Sequence, residues 1–528
     1  MDRLTVIDEI FLRTHRGLGT PIALQGLWRT STPMEPALLH RIHDRLRRGP
    51  LGRRVIRPRI PGARRAWQPT TRAHPLDLLP NHSATRTDWP TTAATRTPDS
   101  TARCDHTGGK ADVCSYYDAG SGPLAASAIS GWADSLGFDL DPEHSPGWRL
   151  SAAPLADGGT VVALTCSHSL ADARGLIHAV GYALESLDVA DTARTRVRTK
   201  HRPADHREAT STDREVASAD PEVTPTDREF WSAEHEVEPA DGQIRPGKHD
   251  IESVNRQLPP AKHKTESTDR KSQSCEGEAG LSDWADARAQ WSTILGGTVR
   301  ALRHGVPKPP PTSAPEPSTG RAVHSTLLTF DADAWDTTAA AFAGTPNSLF
   351  IYLVANILWE NGFAHDTISA SLPVDTRDEP RVDNDLAMTE IAIVRADTPA
   401  TIRDKARAAY LHRMSSPAGL PEQILQVLPD RWAYALSKGA GERDILCSNI
   451  GTLPGTLRTI GPHHATRVAA RAIHPGLTAF PRTRLSGYLS RLTGTYTLAL
   501  VDLGEHDETF DAATVRVLAA TGLHPTAW

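Results

Sequence analysis

His168 and Asp172 stand in the segment Val161-Val162-Ala163-Leu164-Thr165-Cys166-Ser167-His168-Ser169-Leu170-Ala171-Asp172-Ala173-Arg174-Gly175. The apolar run predicts a buried strand and the residues after it a turn. Beyond the turn, Leu176, Ile177, Val180, Leu184 and Leu187 fall at helical spacing. An imidazole fixed at the end of a rigid strand is well placed to take and return a proton, because its unperturbed pKa lies near about 6.5. General acid–base chemistry, and therefore an enzyme, is the first expectation.

Spacing alone does not single this pair out, since His-x-x-x-Asp recurs at His40/Asp44 and His201/Asp205. The first of these falls on an amphipathic helix over 35–48 with Leu38, Leu39, Ile42 and Leu46 as its apolar stripe, which predicts a solvated contact between turns. The second lies in a polar, proline-containing stretch predicted to be unfolded. Only His168 joins a strand to a helix.

The elements around this segment must come from a chain of 528 residues, long enough for two or more domain-sized units. Lys and Arg number 58 against 63 Asp and Glu, a near-balance that does not suit a general nucleic-acid binder. Charge interrupts Met1-Asp2-Arg3-Leu4-Thr5-Val6-Ile7-Asp8-Glu9 too early for a secretory apolar region. The apolar run Leu349 to Trp359 is too short to span a bilayer and predicts a core helix. Five cysteines, sparse and odd in number, predict reduced thiols in a cytoplasm, with a peripheral place at the membrane as the alternative. Cys166 and Cys447, in apolar strands, read as inert core thiols. Cys104, His106 and Cys114 lack a fourth ligand at a recognisable spacing, and no nucleotide-binding glycine loop appears, so neither a metal nor a prosthetic cofactor is expected.

Residues 1–187 are expected to form one ordered unit with a surface insertion at about 80–118. Residues 188–280, where Asp-Arg-Glu and Asp-Arg-Lys triplets recur irregularly among Thr, Ser, Glu and Pro, predict a disordered low-complexity insertion. Residues 281–324 predict a helix through Trp284, Trp291, Ile294 and Leu295, then a stiff connector at Pro307-Lys308-Pro309-Pro310-Pro311. Residues 325–528 alternate strands (325–330, 367–374, 388–394, 445–447, 496–503) with helices (348–360, 399–413, 421–436, 512–521). In the first unit, a helix is expected over 122–137 and strands over 148–153 and 160–166. The arginines Arg53, Arg54, Arg57, Arg59, Arg64 and Arg65 read either as a solvated edge strand or as a contact for a phosphate-bearing acyl carrier. The whole predicts an α/β protein of two subdomains with a ligand tunnel at their interface.

Set in order, several segments resemble the condensation-domain and chloramphenicol-acetyltransferase-like superfamily. The opening Leu4-Thr5-Val6-Ile7-Asp8-Glu9-Ile10-Phe11-Leu12, then Pro146-Gly147-Trp148, then Ser167-His168-Ser169-Leu170-Ala171-Asp172-Ala173 in place of His-His-x-x-x-Asp-Gly, follow that superfamily's order. Pro346-Asn347-Ser348, Pro373-Val374-Asp375-Thr376-Arg377 and Ser448-Asn449-Ile450-Gly451 continue it. Within the superfamily the chain is most similar to actinobacterial acyltransferases of the wax ester synthase/diacylglycerol acyltransferase and polyketide-associated type. It departs at Ser167 for the first histidine, Ala173 for the glycine after the aspartate, and Ser348 for an aspartate. Ala173 would strain the turn by about 1 kcal/mol or more if that glycine needs positive φ.

The resemblance implies direct acyl transfer from a CoA or carrier-protein thioester to a hydroxyl, with His168 as general base and no covalent enzyme intermediate. It implies that Asp172 shapes the turn, with Arg377 as its ion-pair partner, and that Gly175 belongs to the same structural motif. It places Ser167, Ser448, Asn449 and Gly451 along a substrate tunnel; a strand-end turn satisfied by its own side chains is the plainer reading of Ser448 and Asn449. His463, His464 and His474 have no pattern that selects them and read as loop positions. The expected partners are an acyl thioester donor, an alcohol or amine acceptor and an acyl carrier protein. Amide-forming condensation and a catalytically silent docking module for a carrier protein stay open as alternatives.

Overall fold

The computed structural model describes residues 2–17, 21–79, 122–200, 283–296, 323–411, 426, 443–477, 481–504 and 510–528. The insertion at 80–118, the triplet-bearing stretch, the Pro-rich connector, most of the helix expected over 421–436, and Cys104, His106, Cys114, His201 and Asp205 lie outside the described residues.

The first half runs α1 (Val6–Gly17), β1 (Ala23–Thr30), α2 (Pro36–Arg48), β2 (Arg53–Ile56), β3 (Ala66–Pro69), β4 (Asp77–Leu78), α3 (Ile129–Asp134), β5 (Trp148–Pro154), β6 (Thr160–Ser167) and α4 (Ala173–Lys200). After helix α5 (283–296) come β7 (His324–Asp331), α6 (Ala332–Ala341), α7 (Pro346–Glu360), β8 (Thr367–Asp375), β9 (Leu386–Val394), α8 (Pro399–Leu411) and β10 (Ile445–Thr452). The chain closes with β11 (Thr459–Ile460), β12 (His463–Ile473), β13 (Leu485–Leu492), β14 (Thr495–Asp502), α9 (Phe510–Ala520) and β15 (Thr526–Ala527). This is the α/β architecture that the alternation of strand and helix patterns predicts.

The strands form a six-stranded sheet in the order β11-β12-β1-β6-β5-β4, a seven-stranded sheet in the order β15-β7-β14-β13-β10-β8-β9, and the hairpin β2–β3. The second sheet carries α7, whose Leu349, Phe350, Ile351 and Val354 have no exposure. Helix α7 starts with a reciprocal cap between Thr345 and Ser348, so the serine that stands for an aspartate has a structural task of its own.

Sheet boundaries and chain boundaries do not coincide. Strand β12 lies late in the second half yet pairs antiparallel with β1, with Ala23 opposite Ile473 and Trp28 opposite Val468. A buried charge marks this junction. Arg471 donates to Gln25 Oε1 at 3.1 and 2.8 Å and pairs with Asp134 at 2.8 Å. Gln25 in turn donates to the Ala133 carbonyl and to Thr165 Oγ1. A guanidinium can sit in a core only when partnered in this way.

Two expectations need correction. Asp44 on α2 pairs with Arg47 and Arg48, not with His40, because the guanidinium groups reach it from the same face. The helix expected over 122–137 is shorter, a 3₁₀ turn at Ala126–Ala128 leading into α3. The helix expected through Trp284, Trp291, Ile294 and Leu295 is present as α5; its buried residues are Asp283, Ala287, Gln290 and Ile294, and Trp284, Trp291 and Leu295 are exposed. Polar anchoring sets that face: Asp283 pairs with Arg3, Asp286 with Arg64, and Gln290 donates to Gln426.

The arginine-rich segment is bound into the fold. Arg53, on β2, pairs with Asp383, donates to the Leu170 carbonyl at 2.6 Å and stacks over Trp67. Arg57 pairs with Glu143, Arg65 with Glu9, and Arg54 donates to Gln68. Among the described residues no single helix is long and apolar enough to cross a membrane; α6 and α7 pass such a test only together, bent by 82°.

Candidate active site

Strand β6 is buried along its whole length, and its last residue hands the chain to the turn that carries His168. The His168 backbone N–H donates to the Ile22 carbonyl at 3.2 Å, which extends the β1–β6 ladder one step and fixes the start of the turn. Ser167 is buried, and its hydroxyl meets that of Ser169 at 2.9 Å.

Asp172 ends the turn with both carboxylate oxygens occupied. Oδ1 accepts the Gly175 N–H at 2.8 Å and so caps α4. Oδ2 accepts from Arg377 and from the Asp385 N–H. Arg377 also donates to the Asp383 carbonyl at 2.6 Å and pairs with Asp375 at 2.8 Å. The structure thus brings Asp172 and Arg377 together as a clamp between the first half and the 376–385 loop that links β8 to β9. Gly175 faces the same loop, where a methyl group on its Cα would sit 2.3 Å from the Val382 carbonyl oxygen. Ala173 is free of the strain considered for it: among the described residues the non-glycine residues with positive φ are Ala343 and Thr493. As the first residue of a helix, it needs no left-handed backbone.

His168 is half-buried and enclosed from several elements. Phe11 of α1 stacks on the imidazole. Asn384 of the 376–385 loop donates through Nδ2 to the His168 carbonyl at 2.8 Å and to Asp8 Oδ1 at 2.8 Å. Asp8 has no exposure and also accepts from the Thr5 N–H. Burial pushes the His168 imidazole below its ordinary pKa, against its own carbonyl, the Asp172 charge and the Asn384 amide. The histidine therefore stays neutral at pH 7, the state a general base needs. Burial also holds Asp8 above the usual carboxylate range, against the hydrogen bonds from Asn384 and Thr5.

A second histidine sits beside the first. Ile473, Ala23 and Ser167 are in register across β12, β1 and β6, so His474 and His168 flank Ile22 at the same end of the sheet. His474 Nδ1 lies 3.1 Å from the Pro21 carbonyl, which assigns its proton to that nitrogen. Burial first, and then the charge that His168 would carry, push His474 down to about 4, with the Pro21 carbonyl opposing. His463 and His464 lie within β12, and His463 bridges Thr32 and Glu35 at 2.8 and 3.0 Å. The expected loop positions are thus strand positions for His463 and His464 and a strand end for His474.

Ser448, Asn449 and Gly451 lie on β10. Ser448 is half-buried and Asn449 exposed, donating to Asn347 Oδ1 at 3.1 Å and accepting from the Gly451 N–H at 2.9 Å. Gly451 has φ of 76°, and a methyl group there would lie 2.8 Å from Arg174 Nη2. The Asn449 segment therefore meets both the start of α7 and the start of α4. Cys166 and Cys447 are buried, and burial pushes Cys166 up to about 12 and Cys447 higher still, so neither thiol is a nucleophile.

Sequence reasoning did not assign a role to Phe11, Asp8, Asn384 or His474. The first two fall in the quoted opening segment, where resemblance flagged the stretch and not the individual side chains. Asn384 carries no local signal, because its place is set by a loop closing on another part of the chain.

No protein-family model matches the chain, and no curated protein matches it in sequence. Solved structures do resemble it. The first condensation domain of the CDA synthetase is 12% identical over 98% of this chain and 94% of its own, with a TM-score of 0.46. A wax ester synthase/diacylglycerol acyltransferase from Marinobacter aquaeolei VT8 is 13% identical over 99% of this chain and 100% of its own, with a TM-score of 0.44. The nonribosomal peptide synthetase FmoA3 is 13% identical over 99% of this chain at a TM-score of 0.45, and this chain spans 44% of its length. The solved structures similar to this chain therefore include both kinds of enzyme whose motifs it resembles, a condensation domain and a wax ester synthase/diacylglycerol acyltransferase. At these scores the similarity carries no argument about chemistry, which has to come from the site.

Proposed function

We propose that the protein is an acyltransferase that moves an acyl group from a CoA or carrier-protein thioester to a hydroxyl acceptor, with His168 as general base. The observation that carries this reading is a half-buried imidazole held at a strand end, stacked on Phe11 and fixed through its backbone carbonyl by Asn384, in the turn that the Asp172–Arg377 pair closes. His168 Nε2 takes the acceptor's O–H proton as that oxygen bonds to the thioester carbonyl carbon. The tetrahedral species then collapses, the C–S bond breaks, and the imidazolium returns the proton to the leaving thiolate. No side chain is acylated, which agrees with the buried, protonated state of Cys166 and Cys447. In this reading Ser448 and Asn449 flank the donor's path at the β10 edge. An amine could replace the hydroxyl in the same scheme, since one base serves both.

The test is acyl transfer followed by mass spectrometry, with acyl-CoAs of graded length and mixed alcohol and amine acceptors, for the wild type and His168→Ala. Product that falls by about 10²–10⁴-fold in the variant supports the reading. Product that persists in the variant sinks His168 as the base. If neither protein turns over CoA or carrier-bound donors, a docking module is the better description.

A further inference from the structure

His474 has one ring nitrogen engaged and one that is not. A carbonyl oxygen can only accept, so the 3.1 Å contact between Nδ1 and the Pro21 carbonyl places the ring proton on Nδ1. The neutral ring keeps a bare lone pair on Nε2, which has no hydrogen-bond partner among the described residues. Burial, foremost, pushes this imidazole down to about 4, so at neutral pH Nε2 takes no proton and only accepts hydrogen bonds. The ring is half-buried, between a buried Ile473 and a buried Pro475. An acceptor held in such a place is matched by a donor from outside the fold.

Register sets that lone pair beside the reacting group. Ile473, Ala23 and Ser167 lie opposite one another across β12, β1 and β6, and Ala23 and Ile473 pack with Leu140 on one side of the sheet. Side chains alternate along a strand, and the His168 N–H still bonds the Ile22 carbonyl, so His474, Ile22 and His168 belong to the opposite side. Two strand spacings, about 10 Å, separate the backbones that carry the two imidazoles. Rings reaching in from either end narrow that span to the size of a small molecule. The charge that His168 would carry is among the causes that lower His474, as expected for rings facing one space.

We infer that His474 is a specificity residue for the acyl acceptor: its bare Nε2 accepts a second O–H or N–H of the acceptor while the reacting O–H lies at His168, so a diol or amino alcohol is preferred to a simple alkanol. The part given to His168 rests on the acyl-transfer reading; the capture of an outside donor by His474 does not.

The kinetic test compares hexanol with hexanediols of graded hydroxyl spacing, using one acyl-CoA donor. Wild type should favour the best-spaced diol by about three- to tenfold in kcat/KM, mostly through KM, the worth of one added hydrogen bond. His474→Phe keeps a flat ring without the lone pair and should bring that ratio near one, whatever it does to the absolute rates. His474→Gln, which offers an amide oxygen, should keep part of the preference. No preference in wild type, or one that survives His474→Phe, overturns the inference. A second measurement needs neither turnover nor a folded variant of low yield. The full wild-type chain is labelled with ¹⁵N-histidine and long-range ¹H–¹⁵N spectra are recorded at neutral pH, with the His474 signals assigned by their loss in His474→Gln. The proton should sit on Nδ1, and a hexanediol should move the Nε2 resonance further than hexanol does at equal concentration. A ring protonated on Nε2, or a resonance that no diol moves further than hexanol, overturns the inference. A diol-specific shift without turnover would sustain the capture at His474 and count against acyl transfer, so the two failures are told apart.

Discussion

Phe11 lies face to face with His168, the ring centroids 3.6 Å apart and the planes 14° from parallel. The phenyl ring takes the place of water on one face of the imidazole, so it opposes the charged form. Phe11→Ala should therefore raise the His168 pKa toward its ordinary value. Activity that depends on the neutral ring would then be lost at higher pH as the solution is acidified, so the acid limb of the rate profile should move up. A limb that stays in place, or moves down, would show that the stack does not set the basicity of the ring.

Asp172 and Arg377 divide structure from chemistry. Both carboxylate oxygens of Asp172 serve the α4 cap and the 376–385 loop. Removing one partner of a buried ion pair leaves the other charge stranded, typically at about 3–5 kcal/mol. Asp172→Ala should lose about that much in denaturant unfolding, whereas His168→Ala should unfold close to wild type. An Asp172→Ala protein with full stability and no turnover would make the aspartate a member of the reacting group.

Two small residues near the cap should respond in opposite ways from simple expectation. Restoring a glycine with Ala173→Gly should not stabilise the protein, and should cost up to about 1 kcal/mol, because this position is helical. Gly175→Ala must displace the Val382 carbonyl and with it the 376–385 loop. Its loss of melting temperature should exceed that of Ala173→Gly. A Gly175→Ala protein as stable as wild type would mean that the loop contact is not tight.

His474 gives the fold a dependence on pH. Its folded pKa, about 4, lies below the ordinary value of 6.5. The unfolded chain therefore binds a proton that the folded chain refuses between these values, and stability present above pH 6.5 is lost as the pH falls toward 4. His474→Gln should flatten the decline in unfolding free energy over that window. Equal slopes for wild type and variant would remove His474 as its source.

The strand–turn–helix around His168 is legible in the sequence because an unbroken apolar run and a helical stripe meet there. Much of the second half is legible for the same reason: β7, β8, β9 and β14 fall within one or two residues of the expected strands. Strand β12 is not. Its sequence, His-His-Ala-Thr-Arg-Val-Ala-Ala-Arg-Ala-Ile, is polar and small, and its Arg471 is stable in the core only through Gln25 and Asp134, which come from distant segments. The site follows the same division. His168, Asp172 and Arg377 lie in segments that a reader can pick out, whereas Asn384 and His474 acquire their meaning from strand order and loop closure.

The β12 crossover also sets the order of events during synthesis. Gln25 and Arg471 are 446 residues apart. At ordinary translation rates, β1 waits roughly 20–90 s for the strand that covers its outer edge. Until then the nascent chain presents a strand with a free row of N–H and C=O groups, a template for unwanted pairing. A fragment ending before β12 would keep that edge exposed, so the first half should aggregate when expressed alone and should recover solubility when the missing strand is supplied.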